Sequence, residues 1–216
     1  AVDAMAHFQP ATAEPLLREA IRLKPELIEA HVRLGRLLID RDPSGVPAWQ
    51  RSLPAQGEAH PDVWITRGQG SQHVGQTRAA IRCFGKAATL DPNLRIAHYQ
   101  LSQLLADSEF ADAAGEFAER SRLLQHLASI MNQLSLNRGD GSTMKTASKV
   151  LEQLGRQWEA YGWCQLQIAA GSGDESVRLR MERLSVKLTP KLLMTDPNSN
   201  PAMRLDFLTF PLPEWP

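Results

Sequence analysis

Residues 61–94 read PDVWITRGQGSQHVGQTRAAIRCFGKAATLDPNL, and their pattern decides the fold. Trp64 and Gly68 lie four apart, on one face of a first helical segment. Gly75 is the natural turn after it. Ala80, Phe84 and Ala87 then recur at spacings of four and three, the apolar face of a second helix. Pro92 ends that helix, because it has no amide hydrogen to continue the ladder. Two antiparallel helices joined at Gly75 are predicted. Working outward, Ile21-Arg22-Leu23-Lys24-Pro25 and Ala88-Thr89-Leu90-Asp91-Pro92 close similar apolar patterns. Pro25 and Pro92 are 67 residues apart, near two periods of about 34. No stretch alternates like a strand, so the chain reads as all-α. Two short helices cannot bury both apolar stripes by themselves, and stacking the next pair does so. Gly35, Gly68, Ala80 and Ala113 let helices approach closely, while Phe84 and Phe117 fill the gap to the next pair.

This pattern resembles the tetratricopeptide repeat: Trp-x2-Leu-Gly-x2-Tyr, then Ala-x3-Phe, then Pro. Arg67 stands where Leu is usual. A following unit runs from Arg95 through His98, Leu101 and Ser102 to Phe110, Ala113 and Phe117. A preceding unit starts near Ile28 with His31, Leu34, Gly35 and Leu38. Its second helix is poor, because Pro43, Pro47 and Pro54 interrupt it. Ala13, Leu17, Ala20 and Pro25 make half a unit before that. A degenerate unit carries Leu151, a turn at Gly155, then Ala160 and Cys164. The resemblance implies a right-handed superhelical solenoid of antiparallel helix pairs, with a C-terminal capping helix and an extended Pro-rich arm. Helical repeats are expected over 8–136, a degenerate repeat plus capping helix over 141–188, and the arm, leading to a further domain, over 189–216.

Several segments carry two readings. From Ala111 to Leu136 the helix runs on, and Phe117, Leu124, Leu127, Met131 and Leu134 recur at heptad-like spacing. That suits a dimer seam, but an overlong helix packing on the next pair is favoured, since Leu123 and Ile130 widen the apolar face. Residues 137–143 form a turn-rich loop containing Arg138-Gly139-Asp140, the tripeptide that integrins read; ordinary loop chemistry explains it as well. Trp158, Tyr161 and Trp163 cluster on a helix as core aromatics. Asp174 is an N-cap for a last helix to Leu188. In the arm, Leu205, Phe207, Leu208, Phe210, Leu212 and Trp215 are too apolar for a free linker. They either lie on the helices as a built-in ligand or begin another domain. The stretch Gly155 to Trp163, with the Pro-rich exit near Trp215, resembles bacterial proteins in which a helical repeat region precedes an FG-GAP-type β-propeller.

Composition narrows function. The chain of 216 residues has 24 basic and 24 acidic side chains, which argues against nucleic acid as a partner. No run of about 18 apolar residues suggests a membrane span. The opening Ala1-Val2-Asp3 lacks the pattern of a signal peptide. The compartment stays open, and the chain reads as a piece of a larger protein. There is no phosphate loop, and Gly68-x-Gly70 lacks the third glycine of a dinucleotide fingerprint. No two of the six histidines lie three or four apart, so no metal or other cofactor is expected. His31 and His98 share one repeat position as packing residues. Cys83 and Cys164 read as small hydrophobes. No catalytic residue is assigned, and an enzyme is the least favoured class.

What remains is a surface. First-helix positions that line the concave groove in the tetratricopeptide family fall, by register, on Val32, Ile65 and Tyr99, bordered by Arg36, Gln69 and Gln103. Glu29, Asp62 and Ile96 lie near one end, and His73 and Asp107 near the other. An apolar row beside amides suits an extended peptide, whose backbone the amides can bond. The expected partner is therefore a protein or peptide segment, with no cofactor. The positions of the family's carboxylate clamp hold Val32, Arg36, Thr66, Ile96 and Gln100, of which only Arg36 suits a carboxylate. The competing reading is a regulatory or spacer region of a larger multidomain bacterial protein.

Overall fold

The computed structural model describes residues 10–137, 139–189 and 194–214. They form α-helices and short 3-10 turns, with no strand among the described residues. The chain divides into two compact units. One runs to Asp91 and takes in the segment from Asp206; the other is Pro92–Leu205.

The first unit contains α1 (Pro10–Leu23), α2 (Ile28–Arg41), α3 (Val46–Ser52), α4 (Pro61–His73) and α5 (Thr77–Leu90). Helix α1 packs on α2, α2 on both α3 and α4, and α4 on α5. Pro61 sits in the first turn of α4, where its missing amide hydrogen costs nothing. The prolines at 43, 47 and 54 leave only the seven residues of α3 as a second helix. Trp49 of α3 nevertheless fills the expected gap. A Cβ on Gly35 would lie 2.5 Å from its ring, and its indole N–H donates to the His31 carbonyl at 2.7 Å. Phe84 does the same beside Gly68, where a Cβ would lie 2.7 Å from the phenyl ring.

The second unit contains α6 (Arg95–Ala106), α7 (Ala111–Leu136), α8 (Gly141–Gln153), α9 (Gln157–Ala169) and α10 (Glu175–Lys187), each packing on the next. Leu124, Leu127 and Leu134 of the heptad-like run are buried with Met144, Val150 and Leu151. The long helix thus packs on α8, within the chain. Arg138 lies outside the described residues, as does Trp215. Asp140 caps α8 by accepting from the Ser142 and Thr143 amides. Asp174 caps α10 by accepting from the Val177 amide. Tyr161 and Trp163 pack against the core of this unit, while Trp158 is exposed.

One hydrogen bond recurs with the repeat. The His31 ring nitrogen Nε2 donates to the Pro25 carbonyl at 2.8 Å. Trp64 Nε1 donates to the Glu58 carbonyl at 2.9 Å. His98 Nε2 donates to the Pro92 carbonyl at 3.0 Å. Each ring reaches back six residues, to the linker before its own helix. The three rings stand 33 and 34 residues apart in sequence. Turn geometry recurs as well. Gly75, Gly155 and Gly171 have φ of 74°, 75° and 71°, a region that only glycine enters cheaply. At each, the following amide reaches back across the helix end: Gln76 to Ser71, Arg156 to Leu151, Ser172 to Gln167. That is the Schellman closure of a helix C-terminus. Five and nine residues after Gly75 come Ala80 and Phe84; the same steps after Gly155 reach Ala160 and Cys164, and all four are buried.

Described parts of the C-terminal arm lie on helices. In the second unit, the Asp196 amide donates to the Gly155 carbonyl at 2.9 Å. Buried Arg120 of α7 donates to the carbonyls of Pro92 and Ser199, each at 2.8 Å, and to that of Leu154. In the first unit, residues 206–214 lie along α5, with Phe207 and Phe210 buried.

Candidate functional site

Helices α2 and α4 end side by side in the first unit, and their last turns line an open depression of about 510 Å³. Its wall is Arg36, Ile39 and Asp40 from α2, and Gln69, Gln72 and His73 from α4. Each set is spaced i, i+3, i+4, which places three side chains on one helix face. The sets are also 33 residues apart, so the wall is three equivalent positions taken from two successive units. An apolar slot of about 250 Å³ adjoins it, lined by Ile39, Pro43, Val46, Gly70, His73 and Val74 among others.

Arg36 donates to Asp62 Oδ1 at 2.9 Å. Both side chains are more than 40% exposed. A pair so open to water is worth little, so the guanidinium can leave Asp62 for a ligand at small cost. Gln69 and Gln72 each offer an amide with both donor and acceptor. Asp40 adds a negative charge to the rim, and the depression is therefore of mixed sign.

The six residues expected to form the groove fall on both units. Arg36 and Gln69 meet in the depression. Tyr99 and Gln103 are exposed on α6 of the second unit. Val32 and Ile65, expected in the apolar row, are 6% and 1% exposed and do not line this depression. The reason is the neighbourhood of α4, which packs between α2 and α5 and buries every residue from Val63 to Gly68. A helix with partners on both sides exposes its end rather than a full stripe. Ile39, Asp40 and Gln72 were not anticipated. Continuing the repeat register one turn beyond Arg36 and Gln69 finds them.

Elsewhere, burial works against reactive chemistry. The Cys83 thiol is fully buried, and desolvation pushes its pKa up to about 12. It stays protonated and a poor nucleophile at neutral pH. His98 is fully buried and stacked on Phe117, with ring centroids 5.8 Å apart. Its Nδ1 has no hydrogen-bond partner. Desolvation, with the nearby Arg120 charge, lowers its pKa to about 4. Arg67, in the place usual for Leu, is 5% exposed. It donates to Glu58 and Gln50, and its guanidinium lies 4.5 Å from the Trp64 ring centroid. No group of three or more His, Cys, Asp or Glu is placed to hold a metal among the described residues, and no helix among them is long and apolar enough to cross a membrane. No known family model matches the chain, and no curated protein matches it.

Proposed function

We propose that the chain is a non-enzymatic interaction module of the tetratricopeptide type, its helix pairs stacked as a right-handed solenoid, that binds an extended protein segment at the depression between α2 and α4. The recurring ring-to-carbonyl bonds and glycine turns support the repeat. The observation that carries the function is the pairing of a polar depression with an apolar slot on the ends of first helices. Gln69 and Gln72 can bond a peptide backbone, and Arg36 can meet a carbonyl or carboxylate. The slot takes one apolar side chain; at about 250 Å³ it is smaller than the roughly 300–1,000 Å³ of most small-molecule sites. The opposite helix of the pair, α5, is already covered by the chain's own arm, which leaves the α2–α4 ends as the open recognition surface of that unit.

A random-peptide display selection on the immobilised full chain tests this. Enriched sequences should lose binding to Arg36→Ala/Gln69→Ala at least about tenfold, the scale of losing charge-assisted bonds. Both side chains are solvent-accessible, so the fold should persist. No enrichment, or enrichment indifferent to the substitutions, would remove the groove reading in favour of a spacer.

A further inference from the structure

Residues 206–214 contact α5 in the manner of a bound peptide. The Phe207 ring occupies the space a side chain at Gly85 would need, and only glycine leaves it open. Phe210 is 2% exposed and lies beneath the Arg78 guanidinium, 5.1 Å from the ring centroid, within reach of a cation–π attraction. Arg82 Nη1 donates to the carbonyls of Leu208 and Phe210, at 3.3 and 2.7 Å. At the far end, the Gln76 amide bonds the backbone of Glu214 both ways: Oε1 accepts from the Glu214 amide at 3.0 Å, and Nε2 donates to its carbonyl. Arg82 and Gln76 therefore read backbone, and only the two aromatic pockets read side chains. Leu208 and Leu212, by contrast, are 75% and 51% exposed. A helix face that grips main chain through side-chain amide and guanidinium groups, with two pockets three residues apart, has the parts of a peptide receptor.

We propose that the outer face of α5 is a binding site for a segment of the pattern Phe-x-x-Phe, filled in this chain by its own residues 206–214, of which Phe207–Thr209 form a 3-10 turn. This site is separate from the α2–α4 depression and does not depend on it. A tethered segment competes as an intramolecular ligand, so the chain's own arm shuts out free peptides of the same pattern unless it is weakened. An open cavity of about 450 Å³ beside Pro211, Leu212 and Glu214, at the start of α5, gives a competitor its point of entry.

The test uses the full chain and a fluorescent peptide with the sequence of residues 206–216. Phe207→Ala/Phe210→Ala, which weakens the arm, should bind the peptide saturably and at least about tenfold more tightly than the unaltered chain. Adding Arg82→Ala should reverse that gain. Equal binding to the unaltered and arm-weakened chains, or indifference to Arg82→Ala, would overturn the proposal. If the arm-weakened chain fails to fold, the unaltered chain labelled with nitrogen-15 supplies the readout. Millimolar unlabelled peptide should move the 206–214 amide signals to disordered positions, and a peptide with both Phe replaced by Ala should not; unmoved signals would overturn the proposal. A mass twice that of one chain, lost in Arg82→Ala, would assign the pockets to the arm of a second copy and overturn the assignment to the chain's own arm.

Discussion

Single side chains in this protein are set by what they bond, and His98 shows the consequence for stability. Its Nε2 proton is committed to the Pro92 carbonyl, and its Nδ1 is buried without a partner. Protonating it would bury a charge near Arg120. The unfolded chain takes up this proton near pH 6.5, and the folded site does so only near pH 4. Between those values the unfolded state holds more protons, so stability falls as acid is added. Urea unfolding from pH 7 to pH 4 should show His98 contributing a loss on the order of 3 kcal/mol. His98→Phe should lack that part of the slope; equal slopes in both proteins would refute the buried neutral ring. Residues of this kind mark the limit of sequence reading. The shared position of His31, Trp64 and His98 was legible because rings recur there. Arg67 and Arg120 were not, since an arginine on a helix reads as solvated until its acceptors, which lie 9 to 79 residues away, are brought together.

Helices were the most legible level. The glycine turn at 75, the end at Pro92, the truncation around the prolines at 43, 47 and 54, the long α7 and the Asp174 cap all follow from local chemistry. The accessible face was less legible, because exposure depends on how many neighbours a helix has. Val32 and Ile65 occupy the expected register and are still buried under adjacent helices. The helix-ending glycines give a graded prediction at this scale. A Cβ on Gly75 would meet nothing within 4 Å, whereas one on Gly155 would collide with the Ser199 side chain and lie 3.2 Å from Asp196 Cβ. Gly75→Ala should cost about 1–2 kcal/mol, the left-handed backbone penalty alone. Gly155→Ala should cost more, because residues 196–199 of the arm must also shift. Denaturant midpoints measure both, and equal costs would show that the arm does not press on that turn.

The whole molecule joins distant pieces of sequence. Gln76 and Glu214 are 138 residues apart, and the first unit is completed by the last described residues of the chain. The composition of the arm showed that it was too apolar to be free, but not where it docks; Gly85, unremarkable within a helix, is the only local hint. With α5 covered, the surface proposed for recognition in the first unit is the ends of α2 and α4. The most direct measurement is a nitrogen-15 shift map of the full chain titrated with a peptide enriched by display selection. Saturating shifts should cluster at Arg36, Ile39, Asp40, Gln69, Gln72 and His73, leaving α5 and residues 206–214 unmoved. Shifts confined to α5 and the arm, or spread evenly over the helices, would contradict the assignment of the α2–α4 ends as the recognition surface.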